Sequence, residues 1–173
     1  SWAEHPNVDA TAWSIHGQIH RLLPHTRAVL HLHPVYTTAV ACLATPHIPP
    51  IDQNTARYFN RVAVDELYGG MADTEAEGAR LAGLLDGKRR LLMGNHGVMV
   101  TASSIGEAFD DIWTLERACQ QQLLVEASGI KPQLLSEKTA RYSREHVGSD
   151  YIGWLHFQTL YNHIAETQPD MFA

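Results

Sequence analysis

The run AVLHLHPVYTTAVA, residues 28–41, places two histidines, His31 and His33, inside an otherwise apolar segment. Pro24 lies before it and Pro34 cuts it after the second histidine, so the short apolar stretch Ala28-Val29-Leu30 predicts a buried strand between turns. On a strand, residues i and i+2 share a face, and His31 and His33 therefore point the same way. Two imidazoles on one buried face need partners. Backbone carbonyls or water would satisfy them one at a time, whereas a divalent metal would hold both at about 2.0–2.1 Å from each nitrogen. The pair alone leaves both readings open.

The flanking sequence alternates helix and strand patterns. Residues 10–23 put Trp13, His16, Ile19, His20 and Leu23 on one helical face, ended by Pro24. Residues 35–44 read as helix, TPHIPPI as a proline-rich connection, 54–60 as a short helix and RVAVDE, 61–66, as a strand whose last residues, Asp65 and Glu66, form a solvated end. Thr74 with Glu77 and Ser104 with Glu107 form capping boxes, for helices to about Leu85 and to about Ser128. The apolar period of the second runs Ile105, Ala108, Ile112, Leu115, Ala118, Leu123, and Gly129 closes it. Between these helices, Leu91–Met93 and Val98–Val100 read as two strands joined by Gly94-Asn95-His96-Gly97, a tight loop carrying a third histidine. Residues 136–167 are largely helical, with an aromatic stripe at Trp154, Phe157 and Tyr161 that suits either core or subunit contact. The pattern predicts an α/β layer structure with some antiparallel pairing.

Charge and composition narrow the function. A formal charge of -6, with no Lys/Arg run longer than Lys88-Arg89-Arg90, gives no support to nucleic-acid binding. No apolar stretch is long enough for a membrane span and no basic-then-apolar leader opens the chain, so a soluble, cytoplasmic protein is expected. Cys42 and Cys119 read as small core residues, not a disulfide pair. The 11 histidines are unusual beside 13 Lys plus Arg; most, including His5, His25, His47, His146, His156 and His163, are scattered and read as surface or satisfied residues. Neither a G-x-G-x-x-G nor a G-x-x-x-x-G-K-[ST] motif is present, which removes the common nucleotide folds.

AVLHLHPVYTTAVAC followed by LLMGNHGVMVTASSIGEAFDDIWTLERACQQQL resembles the class II aldolase/adducin family, over about Trp13 to Glu126. The resemblance implies a three-layer αβα fold with a mixed, largely antiparallel central sheet flanked by helices. It implies one domain over residues 1–173, lacking the family's N-terminal portion with its phosphate-binding loops. It also makes His31, His33 and His96 a metal triad, with zinc expected ahead of manganese, cobalt or iron. Three neutral imidazoles leave open positions on the ion, which suits catalysis, and the family's lyases use such an ion to stabilise an enediolate as a C–C or C–H bond breaks. A homotetramer with the site near a subunit interface, acting on a small-molecule substrate, follows from the same resemblance.

Two departures bear on function. The aldolases' acid/base glutamate aligns with Ala12, and their interface tyrosine with the Asp52-Gln53 region after IPPI. Alanine cannot move a proton, so the acid/base falls to His16 and His20, at i and i+4 on one helix. Glu116, at a common family position in LERAC, is expected to support the site or pack the helix. The expected function is a divalent-metal-dependent lyase cleaving a C–C bond, by retro-aldol or decarboxylation chemistry, in a small hydroxy-carbonyl or sugar-phosphate-like substrate. The alternative is an adducin-like, non-catalytic metal-binding oligomeric module.

Overall fold

The computed structural model describes residues 7–172, so His5 lies outside the described residues. Four strands form one sheet in the order β1-β4-β3-β2: β1 is Ala28–Leu32, β2 Val62–Asp65, β3 Arg90–Met93 and β4 Gly97–Ala102. β1 pairs antiparallel with β4 and β4 with β3, while β2 lies parallel to β3, which gives the mixed, largely antiparallel sheet expected. β3 and β4 are buried along their whole length, because helices cover both faces.

One face carries α1 (Ala10–Leu22) and α4 (Glu75–Leu84), whose Ile15, Ile19 and Leu81 pack on Val29, Leu91 and Met99. The other carries α2 (Val35–Ala41) and the long α5 (Ile105–Ala127), whose Val40, Leu115 and Ala118 pack on Leu92, Val98 and Val100. The layers are therefore αβα. A short α3 (Gln53–Ala56) precedes β2, and α6 (Glu137–His146) and α7 (Asp150–Thr167) finish the chain, α7 lying along α5. α1 and α4 cross closely because residue 78 is glycine: a Cβ there would stand 2.2 Å from the Ser14 carbonyl oxygen.

The local signals act as read, with some corrections. Asp9 caps α1, accepting from the Thr11 and Ala12 amides at 3.0 and 2.9 Å. The buried face of α1 is Ser14, Ile15, Gln18 and Ile19; Trp13 and His20 face outward, because the stripe that meets α4 is offset from the one the histidines suggested. Thr74 and Ser104 accept from the amides of Glu77 and Glu107, but the reciprocal half of each box is missing, since arginines draw both glutamates away: Glu77 pairs with Arg80 and Glu107 with Arg89. Asp65 is not a solvated strand end. It is 4% exposed and takes a two-pronged pairing from Arg80 at 3.0 and 2.6 Å, because its parity on β2 turns it toward α4.

Cys119 is buried and packed in the core as expected, but Cys42 is exposed just past α2. Burial pushes the Cys119 thiol up to about 12. Native protein is therefore expected to react with Ellman's reagent at Cys42 only, and at both cysteines in denaturant; two fast thiols in the native state would contradict the packing around Cys119. Among the described residues no helix is long and apolar enough to cross a membrane.

Candidate metal centre

β1 emerges from the core as it runs: Ala28 and Val29 are buried, His31 is half-buried and His33, one residue past the strand, is exposed. The strand is thus buried at its start only. Antiparallel register sets His31 opposite Met99, on the face toward α1, and places the β3–β4 turn beside the strand end. That turn is held by three features. Asn95 adopts the left-handed conformation at φ 54°, its amide reaches the Ala41 carbonyl at 3.1 Å, and the His96 amide closes on the Met93 carbonyl at 3.0 Å. Gly97 lets the turn approach His33: a Cβ there would lie 2.6 Å from both the His33 ring and the Leu32 carbonyl oxygen.

The result is a triangle of imidazoles. Ring centroids of His31 and His33 are 5.0 Å apart, His31 and His96 4.8 Å, and His33 and His96 4.6 Å. One nitrogen from each lies within 4.8 Å of the others, and the facing Nε2 atoms of His31 and His33 are 3.2 Å apart. Nδ1 of His31 sits 3.1 Å from the Val98 carbonyl oxygen. With its proton donated there, the lone pair of Nε2 is directed at the other two rings. Burial, working against the Val98 hydrogen bond and aided by the neighbouring His96 and His33, brings the His31 pKa down to about 4, so this ring is neutral near pH 7. Burial also lowers His96. Three clustered imidazole nitrogen donors without a carboxylate among them suit a borderline-soft divalent ion, and the donor set fits such an ion.

Glu116 supports this arrangement from α5. Its carboxylate accepts the amides of Tyr36 at 2.9 Å and Thr37 at 2.7 Å and the Thr37 hydroxyl at 2.6 Å, fixing the first turn of α2 directly after His33-Pro34. Asp52 caps α3 through Thr55 at 2.8 Å and is engaged there.

The triad opens on a cavity of about 300 Å³ that is also lined by Ile15, Tyr68 and Met71. Its lining holds no carboxylate among the described residues. His16 and His20 line a separate shallow cavity beside it with the exposed Ala12, their rings 6.4 Å apart, and His20 Nδ1 is 3.1 Å from the Thr26 carbonyl oxygen. Burial and His20 lower the His16 pKa. Sequence reasoning missed Tyr68, whose ring meets His96 edge-on at 5.7 Å. It rides on the loop after β2, which Asp65 anchors through the Leu67 amide at 3.1 Å. The signal available was LYGG, an aromatic residue before a glycine pair.

Fold and site together define a class II aldolase/adducin protein. The chain belongs to that family: the sequence model described as "Class II Aldolase and Adducin N-terminal domain" matches residues 2–123. Decarboxylase NovR of Streptomyces niveus is 32% identical over 164 residues, covering 95% of this chain and 60% of its own length. Human beta-adducin is 30% identical over 145 residues, covering 82% of this chain and 19% of its own length. The crystal structure of an aldolase II superfamily protein from Pseudomonas syringae matches with a TM-score of 0.83 at 25% identity, over 94% of this chain and 66% of that one. The chain thus spans less than two thirds of these relatives' lengths.

Proposed function

We propose that this protein is a divalent-metal-dependent lyase that cleaves a C–C bond of a small 3-oxo acid by decarboxylation, with retro-aldol cleavage of a hydroxy-carbonyl, sugar-phosphate-like substrate as the second arm of the same enolate chemistry. The observation that carries the reading is the convergence of His31, His33 and His96 at the mouth of a 300 Å³ cavity. A divalent ion held by these three imidazoles, zinc by affinity, would supply Lewis acidity to a substrate carbonyl or hydroxyl oxygen.

The choice of arm rests on the lining of the cavity, which holds no carboxylate among the described residues. Retro-aldol cleavage needs a base for the substrate hydroxyl proton, and residue 12, where aldolases of the family carry that glutamate, is an exposed alanine. Loss of CO2 from a 3-oxo acid needs no such base: the electron pair of the broken C–C bond moves into the adjacent carbonyl as an enolate, whose carbon then takes a proton from solvent. The name of the decarboxylase relative agrees with this arm. Tyr68 lines the cavity with a phenol that can hydrogen-bond a substrate, and the buried Ile15 gives it an apolar side. His16 and His20, in the neighbouring cavity, would relay protons only through an intervening group. Tyr68→Phe is expected to lower kcat/KM about 10- to 100-fold, the value of one hydrogen bond to a charged group, with bound metal unchanged. Equal activity in that variant would remove Tyr68 from the site.

The test is elemental analysis of purified protein followed by a panel of 3-oxo acids assayed for CO2 and of sugar phosphates assayed for aldehyde release. About one equivalent of divalent metal with CO2 release supports the proposal. A metal-free protein that stays so after reconstitution with zinc, manganese and cobalt would leave the second reading, an adducin-like binding module, which the exposed Ala12 favours. The tetramer expected for the family, with the cavity near a subunit boundary, is measured by light scattering on the same sample.

A further inference from the structure

The longest basic run of the sequence, Lys88-Arg89-Arg90, plays no part in the metal centre. It lies at the opposite end of the sheet, since Arg90 begins β3 and Met93 ends it beside His96, with about 10 Å of strand between. There it borders a second cavity of about 460 Å³ that shares no residue with the triad's cavity. Six cationic side chains line this space: Arg57, Arg61, Lys88, Arg89, Arg90 and Arg144. Four carboxylates line it with them, and most are engaged. Asp110 takes Arg57 at 2.8 Å, and Glu107 pairs with Arg89 and shares a hydrogen bond with Asp150 that raises the Asp150 pKa. Asp150 also lies 4.0 Å from Arg89, and Glu145 reaches Arg144 only at 3.4 Å. Asp111, behind the wall, is taken by Arg90 and by Arg57 at 3.3 Å.

A positive surplus remains. Arg61 and Lys88 have no ion pair among the described residues. After burial, the nearby guanidinium groups of Arg90, Arg144 and Arg89 hold the Arg61 pKa below its ordinary value, the mark of a site already crowded with positive charge. Arg57 and Arg90 are only 7% exposed and form the floor of the space, while Arg61, Lys88 and Arg144 stand at its wall. Guanidinium groups clustered around a polar space offer the forked donors that match a tetrahedral oxyanion.

We infer that this cavity binds the phosphoryl group of a small molecule, through Arg61, Lys88 and Arg144 over the Arg57/Arg90 floor. The Arg61 guanidinium supplies the forked contact. Arg144, from α6, and Ser149, at the start of α7, connect occupancy to the packing of the two C-terminal helices on the sheet. The inference is independent of the metal reading, because neither residue set enters the other's cavity.

The experiment is isothermal titration of the chelator-treated chain with inorganic phosphate and with pyrophosphate, at ionic strength matched with sodium chloride. Saturable binding is expected, weakened at least about tenfold in Arg61→Ala/Lys88→Ala and unchanged in His31→Ala/His33→Ala. Tighter binding of pyrophosphate than of phosphate identifies a diphosphate-bearing ligand, and equal binding a monophosphate. Neither Arg61 nor Lys88 carries an ion pair among the described residues, so circular dichroism and melting of that variant should match the parent protein. Heats no larger than the chloride control overturn the inference, as does phosphate binding that survives in Arg61→Ala/Lys88→Ala and vanishes in the histidine variant.

Discussion

Alanine at both His31 and His33 is expected to strip the protein of metal while leaving it folded. Apparent binding energies of four-ligand zinc sites are about 10–16 kcal/mol, so losing two imidazoles costs roughly 5–8 kcal/mol, or about four to six orders of magnitude in affinity. The fold should tolerate the change. His33 is exposed, His31 is half-buried at the strand end, and the strand is held by its ladder with β4 and by Val29 in the core. Elemental analysis then reads near zero metal, circular dichroism reads a native spectrum, and CO2 release falls to background. Retained stoichiometric metal in a folded variant would move the metal site elsewhere. Gly97→Ala gives a subtler version, because a methyl group 2.6 Å from the His33 ring must displace one corner of the triangle without removing a ligand.

The parts of the triad were legible locally, as an i, i+2 pair on a strand and a histidine in a four-residue glycine turn, but their joining into one set came from the family resemblance; the structure shows the antiparallel pairing of β1 with β4 and of β4 with β3 that brings the three rings together. Helix caps at Thr74 and Ser104, and the apolar period of α5, were readable because their signals are local. What escaped was long-range. Asp65 looked like a solvated strand end until α4 laid Arg80 across it, and Tyr68 entered the site only because that anchored loop folds back over His96. The offset of the buried face of α1 has a similar origin: contact with α4 through Gly78, 64 residues after Ser14, selects Ile15 and Gln18 over Trp13. Glu116 shows both halves, since its position in LERAC marked it as supporting, but only the tertiary structure reveals that it caps the helix that follows His33.

The largest loss of stability is expected from Asp111→Ala. This carboxylate, fully buried on α5, is paired with Arg90 from β3 and with Arg57 at 3.3 Å, beside α3. The two guanidinium groups each lie 5.7 Å from the centroid of the buried Tyr58 ring, whose hydroxyl donates to the Asp111 carbonyl oxygen at 2.9 Å. Removing the carboxylate leaves Arg90 as a buried charge without a counter-ion, whereas Arg57 keeps Asp110 at 2.8 Å. Breaking one side of such a pair costs about 3–5 kcal/mol, which for a chain of this size corresponds to a melting temperature lower by roughly 6–20 °C. Removing both charges should be far milder. Arg90→Met/Asp111→Leu replaces the pair with apolar volume and is expected to recover most of the loss, since a buried ion pair gains little over a well-packed hydrophobic substitute. If the double variant melts as low as Asp111→Ala, the carboxylate is stabilising α5 through something other than Arg90. Arg57 and Arg90 form the floor of the basic cavity, where Asp110 in its wall and Asp111 behind it pair with them, leaving Arg61, Lys88 and Arg144 to face an incoming anion.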